Sequence, residues 1–149
     1  MTKLIACALL ITALNSCTEQ SADCTCVNAF VDYTARVNVV YIVDGDTFDF
    51  EIDKEKIRVR ILDIDCFETR RGDRLTEQAA NANISEDSAL ALGILSKEFA
   101  SRNLLNKTIV ITRDSIESNF DVYGRLLRNV TVNGFSYAKL ISDSLLLAN

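Results

Sequence analysis

Residues 37–61 read VNVVYIVDGDTFDFEIDKEKIRVRI, and this stretch decides the fold class. Apolar residues occupy alternate positions in three successive runs, which is the spacing of half-buried β-strands. Asp44-Gly45 separates the first two runs, and the polar residues 53–56 separate the last two, so each break has the composition of a turn. The segment therefore predicts three consecutive antiparallel strands.

The sequence after these strands predicts a charged loop over residues 65–84 and then an amphipathic helix. Ser85 is a suitable N-cap, and the acidic residues that follow it favour the positive end of the helix dipole. Apolar residues then recur at the helical period up to a break near Asn106. The apolar positions are Leu90, Ile94, Leu95, Phe99 and Leu104.

Two further strands are predicted at residues 108–112 and 126–132, followed by a second helix over residues 136–147. The order β-β-β-α-β-β-α with short strands is typical of a small closed barrel with a helix packed against it. A chain of 149 residues is long enough for one domain and too short for two ordinary ones. We expect an α+β domain dominated by β-structure over residues 35–149.

Carboxylates gather at the open end of the hairpin formed by the second and third strands. A hairpin centred between Glu55 and Lys56 sets Asp46 against Asp65, and Glu68 follows closely in sequence. Such carboxylates repel one another unless a cation or a proton lies among them, and they are the ligands that calcium prefers. The alternative is that these acids are turn residues and solvated loop charges.

Two arginines lie near the acids. Arg60 is in the third strand, and Arg125 follows Tyr123-Gly124 at the start of the fifth strand. A phosphodiester hydrolase needs acids that hold a metal, a carboxylate that orients water and guanidinium groups that bind phosphate. The pattern therefore indicates phosphodiester hydrolysis as a candidate activity.

Three blocks of the chain together resemble the signature blocks of the staphylococcal nuclease (thermonuclease) family, in the same order. They are residues 44–47 (DGDT), 60–69 (RILDIDCFET) and 121–127 (DVYGRLL), and the resemblance covers roughly residues 36–147. The resemblance implies a five-stranded OB-fold barrel with one central helix and a C-terminal helix. Members of the family continue beyond the helix matched by residues 136–147, which implies weaker nucleotide binding in this chain.

The resemblance also implies a calcium site. Asp46 and Asp65 match the two calcium-binding aspartates, and Cys66 falls where the family offers a backbone carbonyl to the ion. Cys66-Phe67 replaces the Thr-Pro pair that the family usually has before its glutamate. A backbone ligand survives this change, but the loss of proline frees the loop that aims Glu68.

The catalytic roles follow from the same resemblance. Glu68 matches the glutamate that positions or deprotonates the attacking water, and Arg60 and Arg125 match the arginines that bind the phosphate. The implied reaction is in-line hydrolysis of DNA or RNA at the bond to the 5′ oxygen, which leaves 3′-phosphates.

The overall charge does not suggest a binder of polyanions, since 16 Lys and Arg stand against 21 Asp and Glu, a net charge of −5. Nucleic acid must then meet a local basic patch. We expect Tyr123, Arg70 and Arg71 to contact the substrate, although loop arginines can also be simply solvated.

The N-terminus predicts export. Lys3 precedes an apolar run, and the layout of residues 1–16 is that of a signal peptide. The end of this run resembles a bacterial lipobox, which implies lipidation of Cys17, a membrane anchor and a tether over residues 17–34. The alternative is an ordinary cleaved signal. In an oxidising compartment Cys66 could pair with Cys24 or Cys26, and the sequence does not decide between them.

Two functions remain in competition. The first is an exported, monomeric, calcium-dependent nuclease acting on DNA or RNA. The second is a nucleic-acid-binding module of the same OB-fold architecture that binds without cutting.

Overall fold

The computed structural model describes residues 34–145, and within them the chain forms six strands and three helices. In chain order these are β1 (Ala35–Ile42), β2 (Thr47–Ile52), β3 (Glu55–Ile61), α1 (Asp73–Asn81), α2 (Glu86–Leu104), β4 (Thr108–Thr112), β5 (Leu126–Val132), β6 (Phe135–Ser136) and α3 (Tyr137–Leu145).

Five strands close into a mixed barrel of the OB-fold type, as predicted. β1 pairs antiparallel with both β2 and β4, β2 pairs with β3, and β4 pairs with β5. A parallel pairing between β3 and β5 closes the barrel, and the two-residue β6 extends β5 as an extra strand. The predicted α+β class dominated by β-structure is confirmed.

β1 pairs with two different strands along its length. Its first half, from Ala35 to Asn38, pairs with β4, and its second half pairs with β2. The register shifts between Val39 and Tyr41, where an irregularity of the β-bulge kind bends the strand. The irregularity thus lies where β1 changes from one partner strand to the other.

The β2–β3 turn lies earlier than the sequence suggested. Asp53 and Lys54 form it with φ values of 50° and 72°, so both central residues have the positive φ of a two-residue hairpin turn. Phe50 pairs with Ile57, and Ile52 with Glu55. The predicted centre between Glu55 and Lys56 was therefore wrong. Each residue of β2 pairs with a residue of β3 four positions earlier than predicted, and because four is an even number the same side chains still face inward. In this register Asp46 and Asp65 are not cross-strand partners.

The predicted loop over residues 65–84 contains a helix, α1. Leu75, Gln78 and Ala79 form its buried face, and Leu75 and Ala79 pack with Ala89 of α2 in a small second core. Most of the other residues of this short helix are polar, so its apolar positions were too few to stand out in the sequence.

Ser85 caps α2 as predicted, since the Ser88 backbone N–H donates to its hydroxyl at 3.1 Å. The predicted buried stripe was wrong in part, because Ile94 and Leu95 are 45% and 46% exposed. The buried positions are mostly small residues, which let the helix approach its neighbours closely. They are Ala89, Gly93, Ser96, Ala100 and Leu104.

The barrel interior is filled by strand residues such as Phe48, Phe50, Val59 and Ile111, all fully buried. α3 packs against this core through Tyr137 and Ile141. The predicted signal peptide, Cys17 and residues 18–33 of the predicted tether lie outside the described residues. No helix in residues 34–145 is long and apolar enough to cross a bilayer.

Candidate functional site

The turn between β1 and β2 builds the first wall of the candidate site. The Asp46 backbone N–H donates to Asp44 Oδ1 at 3.1 Å, which stabilises the turn locally. The Asp46 carboxylate itself is buried and accepts from Thr47 Oγ1 at 2.9 Å and from the Cys66 backbone N–H at 2.6 Å. Asp46 therefore joins the turn to the loop after β3.

Gly45 lets two other elements pack against this turn. A Cβ at this position would lie 2.5 Å from Ser96 Cβ and 2.7 Å from Cys66 Sγ. Tyr137 of α3 donates its buried hydroxyl to the Gly45 carbonyl at 2.9 Å. A glycine is required here because α2 and the β3–α1 loop leave no room for a side chain.

Arg60 fixes the course of the loop after β3. Its guanidinium donates to the carbonyls of Ile61 and Ile64 at 2.8 and 2.6 Å. The same group lies 3.3 Å from Asp46 Oδ2 and 2.9 Å from Asp65 Oδ1. The two aspartates are thus brought together through one arginine rather than by hairpin pairing.

Asp65 lies at the solvent side of this arrangement, with 58% of its side chain exposed. It also accepts from Arg74 of α1 at 3.2 Å, and Arg74 lies 3.7 Å from Glu77. Two arginines therefore compensate the charge of Asp65, and α1 forms the second wall of the site.

Gln78 holds the segment that carries Glu68. This buried side chain donates from Nε2 to the Cys66 carbonyl at 2.9 Å and accepts at Oε1 from the Glu68 backbone N–H, also at 2.9 Å. Its amide thus links Cys66 and Glu68, the residues on either side of Phe67, which stands where the resemblance led us to expect proline. The Glu68 carboxylate has no hydrogen-bond or ion-pair partner within residues 34–145, so it remains available to a ligand.

Arg125 enters the site from the start of β5. Its Nε donates to Asp121 Oδ2 at 2.6 Å, and the backbone N–H groups of Arg125 and Tyr123 donate to Asp121 Oδ1 at 2.8 and 2.9 Å. Partial burial opposes ionisation of Asp121, but these hydrogen bonds outweigh it and hold the pKa of Asp121 below its ordinary value. The Arg125 guanidinium also lies 5.4 Å from the centre of the exposed Tyr123 ring.

These side chains surround a single open cavity of about 620 Å³. The sequence-predicted residues Asp46, Arg60, Asp65, Cys66, Glu68, Tyr123 and Arg125 all line it, together with Asp44, Arg74 and Glu77. Five carboxylates and three guanidinium groups thus face the same space. An anionic ligand could bind the arginines, and a cation could bind the acids.

Asp46 is the most strongly perturbed acid of the cavity. Burial raises its pKa to about 7, and the nearby Asp44 charge adds to this effect, while Arg60 and the Cys66 N–H oppose it. Burial is therefore the main reason that the ionised form of Asp46 is disfavoured, even though Arg60 lies 3.3 Å away. A cation bound beside it would favour the ionised carboxylate.

Calcium fits the donor chemistry of this cavity, since Asp46, Asp65 and the Cys66 carbonyl offer only oxygen ligands. The Cys66 carbonyl accepts from Gln78, and its second lone pair is left for another partner. Within residues 34–145, no three acidic or cysteine side chains converge in the spacing of a preformed metal site. Within residues 34–145 the Cys66 thiol is free and buried, and burial raises its pKa, which favours the protonated thiol.

The two loop arginines expected to bind substrate lie in different surroundings. Arg71 pairs with Asp87 and lies 3.5 Å from Glu86, so acids of the first turn of α2 compensate it. Arg70 lines a neighbouring cavity with Lys97 of α2 and has no carboxylate partner among the described residues.

The sequence did not reveal Gln78 and Glu77 as residues of the site, and it suggested Arg74 only as part of a local basic patch with Arg70 and Arg71. All three belong to α1, where the sequence predicted a loop. The signal available was the spacing of Leu75, Gln78 and Ala79, which places them on one face of a helix.

No family model matches the chain. Over 98 residues it is 33% identical to an uncharacterized protein of Methanocaldococcus jannaschii, an alignment that covers 64% of this chain and 47% of that protein. It is 31% identical over 98 residues to Protein ParB of Escherichia coli, covering 66% of this chain and 42% of that protein. The chain thus spans less than half the length of these curated relatives.

Proposed function

We propose that this protein is a calcium-dependent nuclease that hydrolyses phosphodiester bonds of DNA or RNA in the cavity lined by Glu68. The observation that carries the proposal is that Asp46, Arg60, Asp65, Glu68 and Arg125 all face one cavity, although they come from separate parts of the chain. Their resemblance to the staphylococcal nuclease blocks supports the same activity.

In this proposal Asp46, Asp65 and the Cys66 carbonyl hold the calcium ion. When bound, the ion would polarise a phosphoryl oxygen and offset the negative charge that develops there. The attraction of Arg60 to both aspartates marks the position as one where positive charge is stabilised.

Glu68 is the proposed general base. A carboxylate oxygen of Glu68 accepts a proton from water while the water oxygen attacks phosphorus, the bond to the 5′ oxygen breaks in line, and the departing 5′ oxygen takes up a proton from solvent. Its lack of a partner in residues 34–145 suits this role, because no other group competes for the proton. The products would be a 3′-phosphate and a 5′-hydroxyl.

Arg125 is proposed to bind the non-bridging oxygens of the phosphate. Asp121 occupies its Nε, which directs the remaining guanidinium N–H donors toward the cavity that Arg125 lines. Donors fixed in advance stabilise the charge of the transition state without reorganising during the reaction.

The second candidate function is a nucleic-acid-binding module that does not cut. One observation favours it: Arg60 and Arg74 already compensate the charge of Asp65, so the charge of the cavity is balanced in part without a metal.

Export and a lipid anchor at Cys17 are also part of the proposal, and they rest on the sequence of residues 1–17 alone.

The test is cleavage of single-stranded DNA by the purified chain with calcium and with a chelator, beside Glu68→Gln and Glu77→Gln. Both variants remove one carboxylate charge from the same cavity. We expect Glu68→Gln to lower kcat by about 10²–10⁴-fold and Glu77→Gln to have a far smaller effect. Equal losses in the two variants would contradict the role of Glu68, and folded protein that binds nucleic acid but never cuts it would favour the binding module.

A further inference from the structure

The cavity of the candidate site continues along α2 through two smaller depressions. The first, of about 200 Å³, shares Asp44 and Glu68 with the main cavity. It in turn shares Thr69, Arg70 and Lys97 with a third cavity of about 520 Å³. Because neighbouring cavities share these residues, the three lie side by side along one surface, and we call the part beyond Glu68 the basic groove.

The floor of the basic groove is the exposed face of α2. Ile94, Lys97, Glu98, Ser101 and Arg102 line the third cavity, and their spacing places them on one stripe of the helix. The opposite stripe is the small-residue face that packs on the candidate site. One helix therefore supports the site with one face and extends it with the other.

The charge of the lining residues changes from the main cavity to the third cavity. Carboxylates predominate around the main cavity, whereas Arg70, Lys97 and Arg102 line the third cavity against the single acid Glu98. None of these three cations has a carboxylate within ion-pair distance among residues 34–145, in contrast to Arg60, Arg71, Arg74 and Arg125. Unpaired cations on a concave surface attract a polyanion.

Apolar surface lies beside these cations. Tyr41 is 49% exposed at the middle depression, and Lys97 Nζ lies 5.9 Å from the centre of its ring. Ile94 is exposed in the third cavity. Alternating cations and exposed aromatic or apolar groups suit a single strand, whose phosphates bind the cations and whose unpaired bases stack.

We propose that the basic groove binds the phosphate backbone of single-stranded nucleic acid and leads the strand into the candidate site. The inference rests on the proposed function, because the groove adjoins the main cavity at Asp44 and Glu68. The exposed Tyr41 ring and Ile94 offer contact surface to unpaired bases, which favours one strand over a duplex. Lys97 and Arg102 are about 7.5 Å apart along the helix axis, from a rise of about 1.5 Å per residue, so they offer two separate contacts to one strand.

The test is equilibrium binding of the full chain to labelled oligothymidylate, measured in a chelator at several salt concentrations. The variant is Lys97→Gln/Arg102→Gln. The control is Lys54→Gln/Lys56→Gln, which removes the same charge at the β2–β3 turn. A third variant, Lys97→Arg, retains the cation.

For a strand of about 15 nucleotides, we expect the groove variant to bind about tenfold more weakly at low salt. The slope of log affinity against log salt should become shallower by about 1.4, because each of the two phosphates that the variant no longer neutralises contributes about 0.7. A strand of about four nucleotides should show a smaller decrease in affinity, since it does not reach the groove from the main cavity. Lys97→Arg should retain the wild-type slope.

Equal weakening by the groove and control variants would overturn the proposal, as would an unchanged salt slope or equally tight binding of duplex DNA. Cleavage with calcium is scored separately. Cleavage without a groove effect rejects the groove alone, whereas a groove effect without cleavage rejects the nuclease alone.

Discussion

Gln78 is the side chain on which the position of Glu68 depends most directly. Its amide is buried and makes one hydrogen bond to each end of the segment from Cys66 to Glu68. An amide held in this way restrains a loop that has no proline, because both backbone groups lose a buried partner if the loop moves. Gln78 thus replaces backbone rigidity with side-chain hydrogen bonding.

We expect Gln78→Met to lower the free energy of unfolding by about 2 kcal/mol, since the substitution leaves a buried N–H and a carbonyl without partners. If Gln78 positions Glu68, kcat should fall at least tenfold while the dissociation constant for uncleaved DNA stays unchanged. Denaturant unfolding and steady-state kinetics measure the two effects.

Asn103→Met is the control for this prediction. It removes an amide that donates to the Phe99 carbonyl at 2.9 Å, at the far end of α2. It should leave kcat as in wild type. A Gln78 variant that loses stability but retains full kcat would show that Gln78 has only a structural role.

At the scale of elements, α2 packs between the barrel and the site through small residues such as Gly93 and Ala100. A Cβ at Gly93 would lie 2.3 Å from the Glu68 carbonyl oxygen and 2.7 Å from that of Phe67. Backbone atoms cannot move aside as the end of a flexible side chain can. The loop that carries Glu68 therefore rests on the surface of the helix at this glycine.

Gly93→Ala should destabilise the protein by about 1–3 kcal/mol, because overpacking exceeds the gain of roughly 1 kcal/mol in helix propensity. Gly72→Ala is the control for the added methyl group, since a Cβ there meets nothing within 4 Å and only the preference of the N-cap position, about 0.5–1 kcal/mol, is lost. Thermal or denaturant unfolding compares the two. A stabilised Gly93→Ala would show that the loop does not rest on the helix.

The helices and strands could be predicted from the sequence where the apolar residues recur with a strong period. All five barrel strands and α2 appear where the sequence predicted them, because alternating or helical spacing extends over several residues. The β2–β3 turn was misplaced because Asp53-Lys54 forms a positive-φ turn without glycine. The inner face of α2 was misassigned because close packing favours Gly93 and Ala100 over the larger Ile94 and Leu95.

The same distinction holds for the site. Asp46, Asp65, Glu68, Arg60 and Arg125 were identified from the sequence, and all line one cavity. Their mutual geometry was not predictable, because Arg60 brings the aspartates together through side-chain contacts that no hairpin register contains.

At the scale of the whole molecule, an acidic protein presents along one groove three cations without carboxylate partners among residues 34–145. The net charge of −5 opposes general attraction to nucleic acid, so binding depends on the local arrangement of Arg70, Lys97 and Arg102. The barrel and α2 hold this groove and the acidic cavity in fixed relation. A strand bound along the groove would thus reach the cavity at Glu68.

The most direct test of the central claim is the initial rate of single-stranded DNA cleavage by one preparation, first in chelator and then at increasing free calcium. The account predicts no cleavage in chelator and a rate that rises with calcium and saturates, as expected when an ion binds at Asp46 and Asp65. Cleavage that persists unchanged in chelator, or its absence at saturating calcium from folded protein, would contradict the account.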